Sequence, residues 1–240
     1  MIAERDVRMQ RLVEVAARTR PVTLAHQRLL PVIPALATIL PDGGLRRGST
    51  VGVTGSTSLA LALAAEASRS GSWCAVVGTP ALGLVAADEL GIALERFPLI
   101  GASGRMWVRA VAAALEGFDL VLGWPSGGLA PAEARRLTAV VRERGSVLVA
   151  CGPGWPDRTD LSLTVVRSDW LGLEHGHGRL RARRLEVAVG GRGVASIVRT
   201  AGLWLPAADG AIVAEDVAAE GADEGADEAA GGAAIEGAAG

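Results

Sequence analysis

Short, unbroken apolar runs alternating with stretches of helical composition restrict this chain more than any other feature. Residues 50–54 (TVGVT), 73–77 (WCAVV), 98–102 (PLIGA), 119–123 (DLVLG) and 146–150 (SVLVA) are strand-length and bounded by turn residues. Between them, residues 56–68, 80–90, 104–116 and 131–144 read as helices, with Pro80 and Pro131 at the starts of two of them. Strands covered on both faces lose the apolar–polar alternation, and strands joined through helices run parallel. The expected fold is therefore α/β, a mostly parallel sheet flanked by helices. Beyond Cys151 the helical stretches stop: residues 161–166, 169–173, 179–189 and 194–200 read as strands in hairpins, with His175-Gly176-His177-Gly178 as a turn. These make a C-terminal antiparallel extension.

Residues 1–20 carry Val7, Leu12, Val13 and Val15 at helical spacing among Arg and Glu, which predicts an N-terminal helix. Residues 21–44 read as a linker broken by Pro21, Pro31 and Pro34 and closed by the turn Asp42-Gly43-Gly44. Residues 45–206 form the core with its extension, and 207–240 a disordered acidic tail. Charge divides at the same point. Residues 1–206 hold 24 arginines against 17 acids, and residues 207–240 hold nine acids and no arginine. A hydrophobic fraction of 50% suits a full buried core, and no apolar run has membrane-spanning length, so a cytoplasmic protein without membrane contact is expected. Cys74 and Cys151 lie within or at the end of apolar strands, where a buried free thiol is the ordinary state.

The first strand leads into Gly55 and then a hydroxyl-rich helix start, Ser56-Thr57-Ser58, which is the strand, Gly turn, helix order of a P-loop. A working P-loop also needs a longer run of backbone N–H groups and a Lys for the β/γ-phosphates. All 24 basic residues are arginine, so the chain has no lysine to offer. Gly55, Ser56, Thr57 and Ser58 are therefore vestigial: the hydroxyls cap the helix, and no nucleotide or other cofactor is expected. The alternative is a bare helix N-terminus that attracts an anion.

This order of elements resembles the RecA-like core over residues 33–193. LRRGSTVGVTG stands at the P-loop strand, WCAVVGTPAL at the second strand with the general-base Glu just after it, FDLVLGWP at the Mg²⁺-binding Asp strand, and RERGSVLVACG at the strand ending in phosphate-sensing residues. At these positions the sequence has Gly78-Thr79-Pro80, Gly123-Trp124 and Cys151-Gly152. Hydrolysis needs metal, base and phosphate clamp together; the resemblance thus implies no catalytic residue, no metal ligand and no enzyme. A RecA relative stripped in this way is similar to the ImuA-type accessory proteins of actinobacterial mutasomes. That resemblance implies an SOS-type DNA-damage partner of mutagenic translesion synthesis, bound to a catalytically inactive Y-family polymerase-like protein of ImuB type and working beside an error-prone replicative-type polymerase.

Trp124 and Trp155 each begin a Trp-Pro pair after a strand, where open parallel sheets bind ligands. They plug the vacated site, anchor a partner protein, or close loops as core indoles. Arg179, Arg181, Arg183 and Arg184 make the densest basic run. On a strand the three odd-numbered ones share a face that suits DNA phosphates, although no aromatic residue interleaves with them in sequence, and edge-strand charge also serves to prevent aggregation. DNA binding as a modulator of RecA-type filaments is the alternative function. Arg46-Arg47 reads as a solvated turn, and His26, His175 and His177 lack metal-ligand spacing.

Overall fold

The computed structural model describes residues 29–78, 82–156, 158–174 and 177–215. The expected N-terminal helix and residues 216–240 lie outside them. Strands β1 (Leu29–Leu30) and β2 (Leu45–Arg46) form a small antiparallel pair around helix α1 (Pro34–Ile39). The large sheet contains β3 (Thr50–Thr54), β4 (Cys74–Val77), β5 (Leu99–Ile100), β6 (Leu120–Gly123), β7 (Val147–Cys151), β8 (Leu161–Glu174), β9 (His177–Gly191), β10 (Arg199–Trp204) and β11 (Val213–Ala214). Helices α2 (Thr57–Arg69), α3 (Leu84–Glu89), α4 (Arg105–Gly117) and α5 (Pro131–Arg144) connect its parallel half.

The order across the sheet is β11-β10-β9-β8-β3-β7-β6-β4-β5. Pairing is parallel from β5 through to β8 and antiparallel from β8 to β11. The expected parallel sheet with an antiparallel extension is thus what forms, and β8 belongs to both halves. Alternate residues of the inner strands serve opposite layers. Cys74 and Val76 of β4 pack with Leu59 and Leu63 of α2, whereas Ala75 and Val77 pack with Trp107, Val111 and Leu115 of α4 and Leu137 of α5. Burial on both faces explains the unbroken apolar runs.

Local signals set the helix ends. The Leu59 N–H donates to Ser56 Oγ (3.2 Å), capping α2. Pro131 occupies the first turn of α5, the Ala130 N–H donates to Glu133 Oε2 (3.0 Å), and Gly145 at φ +63° ends the helix.

Four sequence expectations change. Residues 29–44 are not a loose linker: Leu30, Leu36 and Leu40 are buried in the core, and the proline at 34 starts α1. Residues 207–215 are not tail, because β11 adds to the sheet and Arg184 holds Glu215 in a two-point ion pair (2.6 and 2.7 Å). In place of a strand over 194–200 there is a 3-10 turn, Gly193–Ser196, followed by β10. Finally, Arg47 is no solvated turn residue, since its Nη1 lies 2.9 Å from the buried Asp119 carboxylate; Arg46 alone is exposed and pairs with Asp42.

The Arg184–Glu215 pair ties β11 to pH. The bond from Arg184 lowers the Glu215 pKa below its ordinary value. A lowered carboxylate stabilises the fold above its unfolded pKa and loses that effect as pH falls through the folded value. The exchange protection factor of the Glu215 amide, which donates to the Gly202 carbonyl, is therefore expected to fall below about pH 4, taking the ordinary Glu pKa as ~4.3, and an Arg184→Gln variant should lose that protection at neutral pH as well.

Candidate functional site

The carboxyl ends of β3, β6 and β7 lie side by side, and α2 starts directly above β3. Between them is a cleft of about 210 Å³ lined by Val53, Gly55, Ser56, Thr57, Trp124, Cys151 and Gly152. It occupies the place that the P-loop outline marks, and Gly55 turns there at φ +86°. The turn is closed from the side: a Cβ on Gly55 would stand 2.9 Å from Val165 Cβ of β8. The hydroxyl of Ser56 already accepts from its own helix, and Arg183 Nη1 reaches it from β9 at 3.4 Å. Residues of the antiparallel extension thus stand where a phosphate-binding loop would have to bulge.

Two further positions show why the carboxylates are missing. Gly78, just after β4, has φ +78°, and a Cβ there would lie 2.3 Å from the Trp124 carbonyl oxygen and 2.5 Å from Trp107 Cδ1. Gly123, the last residue of β6, would place a Cβ 2.9 Å from Trp107 Cζ2. Trp107 is buried in α4 and donates from Nε1 to the Val77 carbonyl (3.2 Å). One indole therefore fills the space beside both positions where the RecA-like pattern carries its general base and its metal ligand. Sequence reasoning passed over Trp107 because, in the first turn of a helix, it reads as an ordinary core residue. Its signal was indirect, in the glycines it makes obligatory.

The structure brings the two Trp-Pro loops together. A Cβ on Gly154 would meet Pro125 Cγ at 3.0 Å, so the loops after β6 and β7 touch. Trp124 is half-buried, lines the cleft and leans on the α2-side core; Trp155 is half-buried against the α4-side core. Cys151 forms part of the cleft wall, but burial pushes its thiol pKa well up, as it does for Cys74. Both thiols are expected to resist thiol-exchange reagents in the folded protein and to react on unfolding, which a timed absorbance assay with and without denaturant would check.

The four arginines separate. Arg184 points to the face that carries Glu215, whereas Arg183 pairs across the hairpin with Trp170, its guanidinium 5.4 Å from the ring centroid, and Nε donates to Ser168 Oγ (2.8 Å). Desolvation lowers the Arg183 pKa. Arg179 and Arg181 are exposed toward the hairpin tip, with Trp170 43% exposed on the same face. The aromatic neighbour that the linear sequence lacked comes from the opposite strand. Among the described residues no cluster of His, Cys, Asp or Glu could hold a metal ion, and no helix is long and apolar enough to cross a membrane.

Sheet order, helix placement and the strand–turn–helix at Gly55 define a RecA-like α/β protein. A crystal structure of the RadB recombinase superposes with a TM-score of 0.52 over 76% of this chain and 97% of that chain, at 15% identity, a likeness of fold. Within that class the chain belongs to the MT3502 N-terminal domain family, which matches residues 38–157. It is 33% identical over 144 residues to the uncharacterized protein Rv3395c of Mycobacterium tuberculosis, a match spanning 59% of this chain and 68% of that protein.

Proposed function

We propose that this chain is a non-enzymatic RecA-like adaptor of ImuA type in DNA-damage-induced translesion synthesis. It binds a catalytically inactive Y-family polymerase-like protein and works beside an error-prone replicative-type polymerase. The observation that carries the reading is the built-over nucleotide site: Val165 and Arg183 crowd the turn at Gly55, and Trp107 abuts Gly78 and Gly123. A RecA-like domain kept without room for its catalytic groups is best explained by its surface. The joined Trp124 and Trp155 loops at the carboxyl end of the sheet offer half-buried indoles of the kind that anchor partner proteins.

The test is nuclease-treated affinity purification from DNA-damaged cells, with the bound proteins identified and the complex sized. A stoichiometric polymerase-related partner supports the adaptor; nothing surviving nuclease overturns it. Trp124→Ala is expected to weaken that partner at least tenfold, about 1.4 kcal/mol, with the fold retained. Loss of folding instead would make Trp124 a core indole. Millimolar Mg²⁺–ATP is expected to leave the melting temperature unchanged, because a ligand that does not bind the folded state does not stabilise it.

Trp170 beside Arg183 favours the second reading, a DNA-binding modulator of RecA-type filaments, since stacking and phosphate contacts then share one face. That reading requires single-strand binding that falls steeply with salt.

A further inference from the structure

The basic ridge on the hairpin and the acidic end of the chain are complementary in sign and within reach of each other. On β9, Arg179, Arg181 and Arg183 stand at alternate positions, the first two within the register shift opposite Gly172. Gly172 on β8 lets the two strands close up beneath that ridge: a Cβ there would stand 2.1 Å from the Arg179 carbonyl oxygen and 3.0 Å from Arg181 Cγ. Among the described residues no carboxylate lies within ion-pair distance of Arg179 or Arg181, and Glu186, on an even-numbered position of β9, belongs to the opposite face.

Beyond Glu215 the sequence carries seven acids, Asp216, Glu220, Asp223, Glu224, Asp227, Glu228 and Glu236, and no basic residue. Two acidic doublets, Asp223-Glu224 and Asp227-Glu228, stand four residues apart in it. The point of departure is fixed on the other face of the sheet, because Glu215 is clamped to Arg184, whose side chain points away from that of Arg183. From there to Asp223 is eight residues, a reach of up to about 26 Å, against two strand spacings across the sheet, about three residues along β9 and a passage round the sheet to its other face.

We propose that the Arg179–Arg181–Arg183 face of the β8–β9 hairpin, closed by Trp170, is a docking surface whose occupant is the chain's own acidic segment, residues 216–240. The segment competes there with external polyanions, so the face opens only to a ligand able to displace it. This holds whether or not the adaptor reading does, since it concerns the hairpin and not the Trp124–Trp155 loops.

The full-length chain is compared with the variant Asp223→Asn/Glu224→Gln/Asp227→Asn/Glu228→Gln, using a heparin oligosaccharide and a single-stranded oligonucleotide as probes at low salt. Neutralising the doublets is expected to tighten both at least tenfold, and adding Arg179→Ala/Arg181→Ala is expected to abolish that gain. In the ¹⁵N spectrum the Nε–Hε signals of Arg179 and Arg181 should shift on neutralisation, independently of protein concentration. Unchanged affinity, a gain that persists without the two arginines, or a concentration-dependent shift that marks a second copy's tail would each overturn the proposal.

Discussion

Gly78→Glu, which puts a carboxylate into the Gly78–Pro80 stretch where the RecA-like pattern carries its general base, is expected to destabilise the domain strongly and not to create a hydrolase. Two costs add. The backbone at φ +78° disfavours any L side chain by about 1–2 kcal/mol. The new Cβ would also fall 2.3 Å from the Trp124 carbonyl oxygen and 2.5 Å from the Trp107 ring, overpacking worth a further ~1–3 kcal/mol. A total of about 2–5 kcal/mol is a large part of the ~5–15 kcal/mol that holds a domain together. Even Gly78→Ala should lower the melting temperature by roughly 10 °C or more. Trimming the ring does not help, because the closer obstacle is backbone: Gly78→Glu/Trp107→Ala should be no more stable than Gly78→Glu alone. At Gly123 the nearest obstacle is the far edge of the indole at 2.9 Å, so Gly123→Asp should be the milder change, within about 1–3 kcal/mol. Thermal denaturation of the four variants checks the ordering; a Gly78→Glu protein melting with the parent would mean that the site is open after all.

The contrast between those two glycines shows what could be read from the linear chain. The strands of the parallel half were legible because residues such as Val76 and Val77 face opposite layers and both must be apolar, which leaves a run no helix of that length would carry. The absence of a P-loop lysine was legible because lysine is missing from the whole composition. The filling of the site was not, because Trp107 and Val165 reach it from elements distant in sequence, and nothing in a single chain marks which helix residue backs which strand end. The hairpin was misjudged for the same reason. Arg183 meets Trp170 only through a cross-strand register with a bulge after Val165, so a face described from β9 alone lacked its aromatic member. Residues 29–44 were read as a linker because proline was weighed as a breaker, whereas the one at 34 opens a short helix whose Leu36 is fully buried.

Arg47 and Asp119 carry the other large expectation, at the amino end of the sheet, away from the cleft. Asp119 is 2% exposed; one oxygen takes Arg47 Nη1 at 2.9 Å and the other accepts the Trp73 N–H at 3.1 Å, while its backbone carbonyl accepts from Val147. A single carboxylate thereby ties the turn before β3 to the entries of β4 and β6. Arg47 is only 14% exposed, and its Nε is already buried without an acceptor. Asp119→Ala would strand that guanidinium and the Trp73 N–H together, and removing one partner of a buried pair costs about 3–5 kcal/mol. The pair itself need not be stabilising, because both charges gave up water to form it. Replacing both with apolar groups, Arg47→Met/Asp119→Leu, removes the stranded charge and leaves the Trp73 N–H unsatisfied, a cost of about 1–3 kcal/mol. The double variant should therefore melt above Asp119→Ala and below the parent in a denaturation series. If it instead melts with or below Asp119→Ala, the ion pair is a net source of stability, and the three strand entries depend on its charge and not merely on its hydrogen bonds.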